Sequence, residues 1–145
     1  MDAIRKFKES GRRPSGSNGV LFASGALWEG IDIPGDALSM LIIVKLPFSV
    51  PDPIGEYERS LCGDMDIYIK RVVVPDMLVK LKQGDGRLIR TETDSGVVAL
   101  LDYRARIGGP YREQALRALP SRPITSDIAA VAAFLRKKKT PEFFE

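Results

Sequence analysis

The chain has no histidine and a single cysteine, Cys62. Without histidine there is no Ser-His-Asp triad, no imidazole general base and none of the usual zinc enzymes. One cysteine cannot close an internal disulfide, nor build a cysteine-based metal or iron–sulfur site within the chain. That usage fits a cytoplasmic protein. No apolar run approaches the roughly 20 residues that a membrane-spanning helix needs. The longest, Leu38–Val44, has the length of a buried strand. The N-terminal Met1-Asp2-Ala3-Ile4-Arg5-Lys6 lacks the apolar stretch of a signal peptide. Neither sign of charge dominates: 22 Lys and Arg face 19 Asp and Glu, a net +3 that admits a polyanionic partner without requiring one. What chemistry remains must rest on Arg, Lys, Asp, Glu or backbone groups.

At 145 residues, 44% hydrophobic and 28% charged, the chain reads as one soluble domain able to bury a core. Residues 3–9 read as a short helix packing Ile4 and Phe7, followed by a basic loop of turn formers from Gly11 to Gly19. Val20–Ala23, Leu38–Val44 and Val97–Leu101 read as buried strands. Between them, residues 54–70 form a helical pattern interrupted at Gly63, and a second helix runs from Pro75 to about Arg90. The Pro47–Pro53 loop cannot donate the hydrogen bonds of a sheet interior. A short helix spans Glu113–Leu119. A last one starts at Ser126 or Asp127, buries Ile128, Val131, Phe134 and Leu135, and ends in the solvated run Arg136–Lys139.

Apolar strands alternating with helices predict an α/β fold with a parallel sheet covered on both faces. Binding then belongs at the carboxyl ends of the strands, where Ser24, Gly25 and the segment after Val44 would lie. Three strands are few for such a domain, and the chain opens directly on a helix. It therefore reads as a fragment truncated at its N-terminus, and an exposed sheet edge would permit a dimer.

The most informative run is Gln83-Gly84-Asp85-Gly86-Arg87-Leu88-Ile89-Arg90. Spacings of four and three residues place Gln83, Arg87 and Arg90 on one helix face, with Gly86 leaving that face open. Arginine suits phosphate oxygens because its planar fork stays charged and can bind in a bidentate way. A pair of arginines on a helix is, alone, more often a solvated face. Gly25-Ala26-Leu27-Trp28-Glu29-Gly30 has the glycine spacing of a P-loop, but Ile31 and Asp32 stand where Lys and Ser/Thr are needed. Gly84-x-Gly86 lacks the third glycine of a dinucleotide fingerprint. The chain can only contribute the second half of a nucleoside triphosphate site.

Two segments, Phe22 to Gly35 (containing Trp28-Glu29-Gly30-Ile31-Asp32) and Gln83 to Arg90, resemble motifs V and VI of superfamily 2 helicases, in their DinG/XPD-like branch. Leu46-Pro47-Phe48, Pro51-Asp52-Pro53 and Thr93-Asp94-Ser95-Gly96 running to Leu101-Asp102-Tyr103-Arg104 add to the match, which covers most of residues 3–120. The resemblance implies the second RecA-like motor domain of an ATP-dependent DNA helicase. ATP and Mg2+ would be held mainly by a first RecA-like domain, with single-stranded DNA as the track and 5′-to-3′ movement. It implies Arg87 and Arg90 as arginine fingers, with Gln83 orienting them or the attacking water. Glu29, Gly30, Asp32 and Gly86 would line the nucleotide side, and Ser24 and Gly25 would offer a hydroxyl and N–H groups to a DNA phosphate. The alternative is a nucleic-acid-binding or partner-binding remnant without an engine, and upstream coding sequence would discriminate the two.

One residue departs from that pattern. Asp85 falls within the apolar face formed by Met77, Leu78, Leu81, Leu88 and Ile89, where the family usually carries an apolar residue. A buried, unpaired carboxylate is costly. Either the helix is distorted at Gly84–Gly86, or Asp85 finds a cation, or the motif is impaired. Asp85→Ile is therefore expected to raise the melting temperature.

Overall fold

A computed structural model describes residues 2–10, 19–24, 33, 38–50, 52–88, 95–120 and 122–139. The chain forms two compact units, one of Met1–Ile42, Gly84–Ala99 and Ser121–Glu145, the other of Ile43–Gln83 and Leu100–Pro120.

Two short strands, β1 (Met40–Ile43) and β2 (Val97–Leu100), pair with each other. The Val97 N–H donates to the Ser39 carbonyl at 3.0 Å and the Leu101 N–H to that of Ile43 at 2.9 Å, so both chains climb in the same direction. The pair is parallel, as alternating strands and helices require. The third expected strand is a correction. Residues 19–24 form no strand, and Val20 and Phe22 stand 76% and 91% exposed. Apolar, β-prone residues make a strand only where a neighbouring strand takes up their backbone groups, and none among the described residues does so. Within β1, Ile42 is 51% exposed while Ile43 is buried.

In the first unit, α1 (Asp2–Ser10) closes on a hydrogen bond from Ser10 Oγ to the Phe7 carbonyl at 2.8 Å. Leu88 is buried there against the backbone of Gly96. A Cβ at Gly96 would stand 2.7 Å from Leu88 Cδ1 and 2.9 Å from the Ser39 carbonyl oxygen, so only glycine permits this approach.

The second unit is built around Met77 and Leu81, both fully buried, with Ile43, Leu46, Val74, Ala105 and Ala115. Two of its helices start where an aspartate caps them. Asp52 Oδ1 accepts the Gly55 N–H at 2.7 Å to open α2 (Pro53–Cys62), with Pro53 in its first turn. The interruption expected at Gly63 is a full stop: its φ of 68° lies in the left-handed region that ends helices. Asp64 then caps the single turn α3 (Met65–Tyr68) through the Ile67 N–H at 3.0 Å.

A π-helical turn, Ile69–Val73, leads directly into α4 (Val74–Leu88). Pro75 explains the widening. It has no N–H to give and its ring crowds the carbonyl four residues back, so the turn before it opens to bonds of one residue longer. The Val74 N–H accordingly donates to the Ile69 carbonyl. A 3-10 turn (Tyr103–Ala105) and α5 (Arg112–Ala118) complete this unit.

The last helix, α6 (Ile128–Lys138), belongs to the first unit. Asp127 caps it as expected, accepting the Ala129 N–H at 2.8 Å. Its apolar stripe is not buried: Ile128 is 85% and Phe134 38% exposed. Periodicity makes an amphipathic helix, whereas burial also needs a neighbour. At the other end Arg136, Lys137 and Lys138 are exposed, but Lys139 is only 8% exposed, so the basic run is not solvated throughout.

Candidate nucleotide-facing helix and its supports

The comb of Gln83, Arg87 and Arg90 expected from the sequence spacing begins on the last turns of α4. Met77, Leu81 and Leu88 are buried on one side of this helix, while Gln83 and Gly86 are exposed and Arg87 is half-buried. A Cβ at Gly86 would meet nothing within 4 Å, so the space at this position of the helix is open. Gln83 and Arg87 are one helical turn apart, as the sequence spacing requires. Arg90, the third tooth, lies outside the described residues, as do Gly25, Glu29, Gly30 and Asp32. Ser24 is exposed, and residues 19–24 form no strand.

Asp85 finds a cation. Arg122, from the segment before α6, donates Nη1 to Asp85 Oδ1 at 2.5 Å and Nη2 to Oδ2 at 2.8 Å. Both carboxylate oxygens are engaged by the two arms of one guanidinium, the geometry in which arginine binds most strongly. The Asp85 side chain is 5% exposed and that of Arg122 28%. The expectation of a gain from Asp85→Ile falls with this pair, because it rested on an unpaired carboxylate. Helix α4 keeps its form through Gly84–Gly86. No periodicity rule could have singled out Arg122. It lies 37 residues away in a stretch without regular structure.

A second polar cluster joins two of the segments that carried the family resemblance. Asp102 is buried just beyond β2 and accepts the Leu46 N–H at 2.8 Å. It also accepts the Arg104 N–H at 2.9 Å and the Arg104 Nη2 at 2.6 Å. The Arg104 side chain, hydrogen-bonded to it, holds the Asp102 carboxyl far below the usual carboxylate range, against the opposing effect of burial; N–H groups of Arg104 and Leu46 add to the shift. The Arg104 guanidinium lies 4.6 Å from the centre of the Phe48 ring, and Phe48 packs on Tyr111 with centroids 5.2 Å apart. The clamp therefore ties the loop after β1 to the turn after β2, at the carboxyl edge of the parallel pair. Nearby in sequence, Ser49 donates to Asp76, and Lys80 lies 3.2 Å from the same Asp76 oxygen.

Among the described residues no group of His, Cys, Asp or Glu side chains could hold a metal ion. No helix of the described residues is long and apolar enough to cross a membrane.

The family model for the helicase C-terminal domain matches residues 1–122. ATP-dependent DNA helicase YoaA of Escherichia coli is 42% identical over 126 residues, covering 83% of this chain and 19% of the relative. ATP-dependent DNA helicase DinG of Photobacterium profundum is 42% identical over 122 residues, or 81% of this chain and 17% of the relative. A Bacillus subtilis protein named 3'-5' exonuclease DinG is 34% identical over 108 residues, 73% of this chain and 12% of the relative. The chain thus spans less than a fifth of the length of these relatives. It belongs to the helicase C-terminal domain family, as a DinG-like member with that family's α/β architecture.

Proposed function

We propose that this chain is the second RecA-like motor domain of a DinG-type, ATP-dependent DNA helicase, and that Arg87 and Arg90 act on the nucleotide as arginine fingers. The observation that carries this reading is the asymmetry of α4. Its apolar side is buried at Met77, Leu81 and Leu88, while Gln83, Gly86 and Arg87 lie away from those residues around the helix, with open space at Gly86. A helix so anchored can hold a guanidinium at fixed reach from a γ-phosphate.

In this reading ATP and its Mg2+ are held by a first motor domain of the same protein. In the transition state negative charge is spread over the equatorial oxygens of the transferred phosphoryl group and the oxygens in line with it, and Arg87 and Arg90 stabilise that charge. Gln83 orients the fingers or the attacking water. Glu29, Gly30, Asp32 and Gly86 line the nucleotide side of the cleft, and Ser24 and Gly25 meet a phosphate of single-stranded DNA. Such backbone contacts carry no sequence information, as a translocating motor requires.

The test is ATP hydrolysis by the full-length protein carrying Arg87→Ala. A finger contact predicts a loss of about 10³-fold or more in turnover with ATP binding largely kept. Wild-type turnover in that variant rejects the finger assignment.

A further inference from the structure

We infer that Arg122 is a positioning residue for Arg87, acting through Asp85. The inference rests on the finger role proposed above. Helix α4 reaches its functional end through Gly84-Asp85-Gly86, and flanking glycines leave this turn the least constrained part of the helix. Something must fix how the turn is rotated about its axis. Leu88 does part of this, buried against the Gly96 backbone. The Asp85–Arg122 fork does the rest. Two parallel hydrogen bonds, 2.5 and 2.8 Å long, leave the carboxylate one orientation, where a single bond would leave it free to swivel.

Geometry links this grip to the finger. Two residues along a helix turn the direction by about 200°, so Asp85 and Arg87 project from nearly opposite sides. Holding Asp85 from behind therefore fixes the direction in which Arg87 leaves the helix. Leu88, Asp85 and Arg122 all belong to the unit that contains Arg87, so the support and the finger move together. A cation elsewhere would satisfy the buried charge equally well, but only a planar fork fixes its angle.

The test uses the full-length protein, with DNA-stimulated ATP hydrolysis measured below the melting temperature of every variant. Arg122→Ala should lower kcat by about tenfold to a hundredfold while KM for ATP stays within about twofold, as misplacement of a catalytic group predicts. Arg122→Lys keeps the charge and loses the fork, and should fall between the two. Ile43→Val, which trims a buried residue outside α4, should keep wild-type kcat despite a lower melting temperature. Wild-type kcat in Arg122→Ala overturns the inference; if that variant does not fold, wild-type kcat in Arg122→Lys does so. Equal loss of kcat in Ile43→Val also overturns it, because general destabilisation then accounts for the effect. An active Arg87→Ala instead removes the finger reading itself, so the two failures are told apart by that one variant.

Discussion

Cutting the Asp85–Arg122 pair from either side should give unequal losses of stability. Removing one partner of a buried pair costs about 3–5 kcal/mol when the other is left uncompensated. Arg122→Ala strands Asp85, whose side chain is 5% exposed, so it should incur that full penalty. Asp85→Ala strands Arg122, which is 28% exposed and can turn partly to water. Its loss should be smaller, about 2 kcal/mol. The double variant leaves neither charge buried alone, and should be more stable than the two separate losses predict by about 2 kcal/mol. Asp85→Ile should sit below the wild type and above Asp85→Ala, since its apolar side chain recovers part of the loss yet leaves the guanidinium without acceptors. Urea denaturation of the chain at neutral pH, followed by circular dichroism, measures all five proteins. Additive single losses, or an Asp85→Ile protein more stable than the wild type, would refute the pairing.

Two further outcomes follow from the supports around the site. Because Arg104 lowers the folded-state pKa of Asp102, the carboxylate contributes stability in full above its unfolded value of about 3.9, and this is lost as pH falls below it. The stability gap between wild type and Asp102→Asn should thus hold steady from about pH 7 to pH 5 and narrow below about pH 4; a gap unchanged by acid contradicts the assignment. Gly96→Ala should cost about 1–3 kcal/mol by overpacking, since its Cβ would meet both Leu88 and the Ser39 carbonyl; an unchanged denaturation midpoint would show that this contact yields freely.

Local signals proved legible wherever the deciding interaction was local. Asp127 as a cap, the break at Gly63 and the parallel β1–β2 pairing all follow from residues within a few positions or from strand–helix alternation. The buried side of α4 was equally plain from the spacing of Met77, Leu81 and Leu88. What misled was apolar character taken as burial. Phe22 and Ile128 carry the right side chains for a core, yet both stand exposed. The π turn before Pro75 was also hidden, because a proline at that point reads equally well as a helix start. Least legible was Arg122, whose role depends on a contact spanning 37 residues. The comb was read from spacing alone, and Gln83, Gly86 and Arg87 lie on the predicted helix, whereas Arg90 and the Trp28–Asp32 segment lie outside the described residues.

An arginine finger differs from an ordinary phosphate-binding group in when it acts: it grips the nucleotide most tightly as the phosphoryl group is in flight. The affinity of the full-length protein for ADP–aluminium fluoride, compared with ADP, measures this difference directly. With Arg87→Ala, binding of the transition-state mimic should weaken by about 10²-fold or more while ADP affinity stays within about threefold. Equal affinities of wild type and variant for the fluoride complex would contradict a finger at this position.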